Sequence, residues 1–121
     1  MTLQTAQEKL DEDVLRIAPE GRLDAVTVPA FEAILTENLD QGVSRLVIDL
    51  SGVTYVSSSG LRALLSARRR ARSVGGDVVL CHMTDRVREI FEMVGFVSLF
   101  KVFASVDEAA RAFSAGVSAR S

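Results

Sequence analysis

Three consecutive hydroxyls, Ser57, Ser58 and Ser59, stand directly before Gly60 and a leucine-rich run. Hydroxyls so placed can cap the helix that the leucines imply, bind an anion, or accept a covalent group. As an N-cap, Ser58 or Ser59 accepts a hydrogen bond from an orphan backbone N–H, worth about 1 kcal/mol. The same helix end presents free N–H groups and the positive end of the dipole, which favour a phosphate. A phosphoserine brings roughly −1.5 to −2 charges. The fold tolerates that charge there, while a partner surface can reject it. Capping and phosphorylation suit the same residue, so the residue types leave both open.

Other chemistry needs more than the chain offers. The hydrolase elbow is G-x-S-x-G, and "YVSSSGL" has the serine and the last glycine but not the first. His82, the one histidine, would have to be the base, and no feature places an acid behind it. The chain is therefore read as non-enzymatic, with no catalytic residue. "SSSG" lacks the Walker spacing and its lysine. His82 has no Cys, Asp or Glu partner at metal-ligand spacing, so it reads as a strand-end residue, and no metal or cofactor is expected. Cys81 reads as a small apolar residue, and a single cysteine excludes an internal disulfide. Arg68, Arg69, Arg70 and Arg72 lie late in the same helix, where cations offset the dipole, and they read as a solvated face. No aromatic residues interleave them and the net charge is −2, so no direct nucleic-acid contact is expected.

The elements that must position these groups follow from the pattern. The 121 residues fit one domain over 1–121, and 48% hydrophobic residues suffice for a core. The start "MTLQTAQEKL" has no signal-peptide pattern, and no apolar run approaches the roughly 18 residues of a membrane span. A cytoplasmic protein without membrane insertion is expected. "TAQEKLDEDVLRIAPEG" predicts two strands turning at "LDED", with Val14, Leu15 and Ile17 in the second; Pro19 and Gly21 are expected to end it. The next helix has Thr27 as N-cap, Pro29 in its first turn, and Val28, Phe31, Ile34, Leu35 and Leu39 inward; Gly42 stops it.

Arg45 to Leu50 predicts a strand covered on both faces, and "SGVTYVSSSG" a connection. The helix after the serines turns Leu61, Leu64, Leu65, Ala71 and Val74 inward and stops at Gly75-Gly76. "DVVLCHM" predicts a strand. A third helix is capped by Thr84, packs Val87, Ile90, Phe91 and Val94, and ends at Gly95. A short strand follows from Leu99 to Phe103. The last helix opens on a capping box of Ser105 and Glu108. Residues 114–121 lack a core pattern and are expected to fray. The order β-β-α-β-α-β-α-β-α implies a mixed α/β sheet of about five strands covered by about four helices.

"RLVIDLSGVTYVSSSGLRALL" resembles the signature of STAS-domain anti-sigma factor antagonists, a hydrophobic strand followed by D-x-S-x-V-x-[FY]-[ILMV]-D-S-S-G-[LI]. The matching residues are Asp49, Ser51, Val53, Tyr55, Val56, Ser58, Ser59, Gly60 and Leu61. "GRLDAVTVPAFE", with Gly21 and Asp24, and "VREIFEMVGFVSLFKVFASVDEA" extend the likeness from about Leu3 to Phe113.

The resemblance implies the STAS fold and a bacterial regulator of transcription that works by partner switching. Such an antagonist binds a serine kinase that is also an anti-sigma factor. The kinase inactivates it by ATP-dependent phosphorylation at the position of Ser59, and a PP2C-type phosphatase restores it. Asp24, Ser57, Ser58, Gly60, Leu61 and Arg62 map to the partner-binding surface. Where the family pattern has an aspartate, this chain has Ser57. The alternative is a non-switching STAS module, for interaction or nucleotide binding, in a transporter or sensory complex.

Overall fold

The computed structural model describes the backbone of residues 3–120 and the side chains of residues 3–113. Among them the elements run β1 (Gln4–Asp11), β2 (Val14–Leu23), α1 (Val28–Asp40), β3 (Arg45–Asp49) and β4 (Val53–Val56). Then come α2 (Ser58–Ser73), β5 (Asp77–Cys81), α3 (Asp85–Met93), β6 (Val102–Phe103) and α4 (Val106–Arg120), with a 3-10 turn at Val97–Leu99. The mixed α/β architecture is as expected, with six strands rather than about five. Over 114–121, expected to fray, the described backbone is helical as far as Arg120, and Ser121 and the side chains lie outside the described residues.

β1 and β2 form an antiparallel hairpin, with Ala6 opposite Ala18. The other pairings are parallel, and the sheet order is β1-β2-β3-β5-β6. Side-chain alternation splits the core in two. Leu46 and Ile48 of β3 and Val78 and Leu80 of β5 face the helices α1, α2 and α3, which contribute Phe31, Leu35, Leu61, Leu64, Val87 and Phe91. Val47, Val79 and Cys81 face the other way, where Ala109 and Val106 of α4 cover them. Both faces of β3 and β5 are thus apolar, which is why these strands read as unbroken hydrophobic runs. Each fully buried Leu, Ile or Phe here contributes about 1.5–3 kcal/mol.

The second strand does not end at Pro19 and Gly21. β2 continues to Leu23 because it changes partner: it pairs β3 as far as Ile17 and β4 from Gly21 onward. Pro19 falls between the two ladders on that edge, where a missing N–H breaks neither. Gly21 has φ +97° beside a register irregularity, a backbone state that glycine adopts without strain. β4 itself was expected to be a connection. At the far end, only Val102 and Phe103 of the expected Leu99–Phe103 strand pair with β5. Val74 and Val94, expected inside, are 69% and 49% exposed. Each is the residue just past its helix end, where helical periodicity no longer sets direction.

Candidate functional site

The β2–β4 ladder ends at Leu23 opposite Val56. Ser57 N–H then donates to the Leu23 carbonyl at 2.8 Å. The loop carrying Asp24 and the serine run therefore leave the sheet at one point. α1 and α2 lie side by side and run the same way. Asp40 at the end of α1 pairs with Arg70 late in α2, and Glu32 and Ala63 line one groove nearer their starts. Both helices consequently begin at the end of the molecule where the serines are. Gly60 is set by close approach: a Cβ there would lie 2.9 Å from Val56 Cγ1 and 3.1 Å from the Leu23 carbonyl oxygen.

The cap of α2 is Ser57, not Ser58 or Ser59. Ser57 is extended (φ −83°, ψ 173°), and its Oγ accepts from Gly60 N–H at 3.3 Å. Its carbonyl accepts from Leu61 N–H at 2.9 Å. The helix starts one residue earlier than the capping argument places it. Ser58 and Ser59 become the first two helical residues, whose N–H groups have no intrahelical acceptor. Ser58 is exposed and Ser59 half-buried. Ser57 Oγ and Ser59 Oγ lie 2.9 Å apart in a hydrogen bond that either can donate. Ser57 thus holds the Ser59 hydroxyl and caps the helix at once. Aspartate and serine are comparable N-caps, so serine keeps that function while removing one negative charge from beside Ser59.

Asp24 organises the loop that leads into α1, and the side-chain cap expected of Thr27 is not made. Asp24 Oδ1 accepts from Val26 N–H at 3.0 Å and Thr27 N–H at 3.3 Å. Thr27 occupies the N-cap position of α1 but makes no side-chain cap bond; its hydroxyl donates to the Arg22 carbonyl at 2.6 Å. Burial tends to raise the Asp24 pKa. The N–H groups of Thr27 and Val26 and the Arg22 guanidinium outweigh it, so the carboxyl sits below its ordinary range. Arg22 reaches Asp24 at 3.4 Å and stacks 4.4 Å over the Tyr55 ring. Tyr55 belongs to the matched signature, but no sequence pattern singled out Arg22 or paired the two; their opposition on adjacent strands needs the unpredicted β4. Of the other residues mapped to this surface, Arg62 is exposed, while Gly60 is buried and Leu61 is 3% exposed in the core. The Leu61 side chain packs into the core beneath α2.

Asp49 is buried, pairs with Arg16 at 2.9 Å and accepts from Ser51 N–H at 3.0 Å, which fixes the turn into β4. Burial would raise its pKa, but the bonds from Ser51 and Arg16 prevail and lower it. Asp49, Cys81 and His82 have ligand atoms within 4.8 Å of one another, a grouping that spacing alone did not reveal. It fits a metal poorly: the carboxylate is taken by Arg16, and burial with the nearby Asp49 charge pushes the Cys81 thiol up to about 12. His82 has φ +54° at the end of β5. Ser59 bonds to Ser57 rather than to an imidazole, so the hydrolase constellation is not assembled.

The arginine run is less solvated than expected. Arg68 and Arg72 reach buried Asp77 at 3.3 and 3.4 Å, and Arg70 reaches Asp40. A groove of about 100 Å³ between α1 and α2 is lined by Glu32, Thr36, Ser66 and Arg70 among others. It is smaller than the roughly 300 Å³ at which ligand pockets begin.

Comparison with known proteins places this architecture. The model of the STAS domain matches residues 6–109. BtrV of Bordetella bronchiseptica, which carries the name anti-sigma factor antagonist, is 37% identical over 111 residues, 92% of this chain and 95% of BtrV. An anti-sigma factor antagonist from Mycobacterium paratuberculosis superposes with a TM-score of 0.81 at 25% identity, over 91% of this chain and 92% of that one. The Bacillus cell fate determinant SpoIIAA in its phosphorylated form superposes with a TM-score of 0.71 at 21% identity, over 91% and 99%, a likeness of fold. The chain belongs to the STAS-domain family of anti-sigma factor antagonists.

Proposed function

We propose that this chain is a phosphorylatable antagonist in a partner-switching pathway. Unmodified, it binds a serine kinase that doubles as an anti-sigma factor. Phosphorylation of Ser59 ends that binding, and a PP2C-type phosphatase reverses it. In the transfer, the Ser59 oxygen forms a bond to the γ-phosphorus of ATP, the bond to ADP breaks, and the hydroxyl proton leaves to a base on the kinase. The observation that carries this reading is the half-buried Ser59 hydroxyl at the mouth of α2, held by Ser57 within a family match spanning residues 6–109. A phosphate there adds roughly −1.5 to −2 charges and meets helix N–H groups that have no other acceptor. It changes the exposed surface without opposing the fold.

The absence of a carboxylate at Ser57 favours a second reading, a STAS module that binds partners without switching. One experiment separates the two. The protein is incubated with ATP and the anti-sigma kinase encoded in its genomic neighbourhood, and the site is mapped by mass spectrometry. A single phosphate on Ser59, lost in Ser59→Ala, supports switching. No transfer to Ser59 overturns it in favour of the passive module.

A further inference from the structure

The surface after Ser59 carries an uncommitted cation. Among the described residues, Arg16, Arg22, Arg45, Arg68, Arg70 and Arg72 each form an ion pair with a carboxylate, whereas Arg62, like Arg69, Arg86, Arg88 and Arg111, forms none, and of these five Arg62 is the one on the turn after the serines. Arg62 is exposed on α2, three residues after Ser59 and four after Ser58. Residues at these spacings are surface neighbours with Cβ atoms about 5–6 Å apart. Long helical side chains also lean toward the helix N-terminus, over the turn that precedes their own Cα. From this position an extended Arg62 side chain has the length to bring its guanidinium to the turn that holds both hydroxyls. Arg22, on the end of β2 that pairs with β4, is held by Asp24 at 3.4 Å and stacked on Tyr55. The Asp24 carboxylate repels an added phosphate rather than binding it.

We propose that Arg62 closes on the phosphoryl group when Ser59 carries one, donating N–H bonds to its oxygens within the same helix turn. The inference rests on the reading of Ser59 as phosphoacceptor. It adds that modification alters the surface at two points: an anion appears at Ser59, and a free cation is withdrawn at Arg62. Guanidinium and phosphate match in a two-pronged geometry that an ammonium lacks.

The test uses four full-length proteins, with serine or co-translationally installed phosphoserine at position 59 and with Arg62 or Arg62→Gln. Each is unfolded in urea at low and at high salt. At low salt, Arg62→Gln lowers the folding equilibrium constant of the phosphoprotein about 2- to 5-fold more than that of the unmodified protein. The difference shrinks at high salt, and Arg62→Lys restores only part of it. An equal effect of Arg62→Gln on both forms overturns the pairing. The phosphate is installed without a kinase, so failure of kinase transfer counts against the phosphoacceptor reading and leaves this coupling measurable.

Discussion

The first and last turns of α2 are both built against strand ends, and they use their polar side chains in opposite ways. At the far end, Arg68 and Arg72 of α2 and Lys101, just before β6, converge on the buried Asp77 carboxylate at 3.3, 3.4 and 3.8 Å. The chain reaches Asp77 through Gly76, where a Cβ would stand 1.9 Å from the Ser44 carbonyl oxygen. At the first turn the close approach is also a glycine, Gly60. It packs against Val56 and Leu23, and the polar side chains just before it are serine hydroxyls, of which Ser57 and Ser59 bond to one another and Ser57 to one backbone N–H. Arginines of α2 tie its far end to a buried carboxylate, whereas the serines at its first turn carry no charge and the nearby Arg22–Asp24 pair lies on the neighbouring strand and loop. The difference means that a charge can be added at the mouth of α2 without breaking an ion pair, whereas a charge change at the other end must.

The contrast can be broken by substitution. Gly76→Ala is expected to destabilise most, by about 3 kcal/mol in urea unfolding, because its methyl meets backbone that cannot rotate away. Gly60→Ala is expected to cost about 1–2 kcal/mol: the nearest atom, Val56 Cγ1, belongs to a side chain, and alanine gains about 1 kcal/mol of helix propensity. Equal costs would erase the distinction. Asp77→Asn should cost about 1–3 kcal/mol by leaving three cations around an uncharged group, with the larger loss at low salt. Ser57→Ala should cost about 1 kcal/mol as a lost cap. Smallest is Ser59→Asp, expected within about 1 kcal/mol of wild type because a helix N-terminus tolerates an anion. A large loss there would mean that the mouth of α2 is structural after all.

The helices were legible because their apolar residues recur at helical spacing, and Thr84 caps α3 as expected, accepting from Val87 N–H at 3.3 Å. The capping box of α4 is half formed: Glu108 N–H donates to Ser105 Oγ, but the Glu108 carboxylate accepts from Ala104 N–H. The sheet was less legible wherever a strand depends on a distant partner. β4 is four residues long and sits beside serines, and it exists because β2 bends at Gly21 to meet it. The same change of partner hides the meaning of Pro19.

At the site, the motif pointed to the right turn but not to the division of labour within it. Whether Ser57 or Ser58 caps depends on a one-residue shift in the helix start. That shift decides which hydroxyl faces Ser59. Arg22 over Tyr55 needed the tertiary pairing, and so did the tying of Arg68 and Arg72 to Asp77.

The central claim is that the charge state of Ser59 governs partner binding. Its most direct test is titration calorimetry of the anti-sigma kinase with the unmodified protein and with the protein carrying phosphoserine at 59, at one fixed salt and nucleotide concentration. Phosphorylation is expected to weaken binding about tenfold or more, equivalent to about 1.4 kcal/mol or more, while Ser59→Ala binds as the unmodified protein does. Equal affinity for the two forms would contradict it.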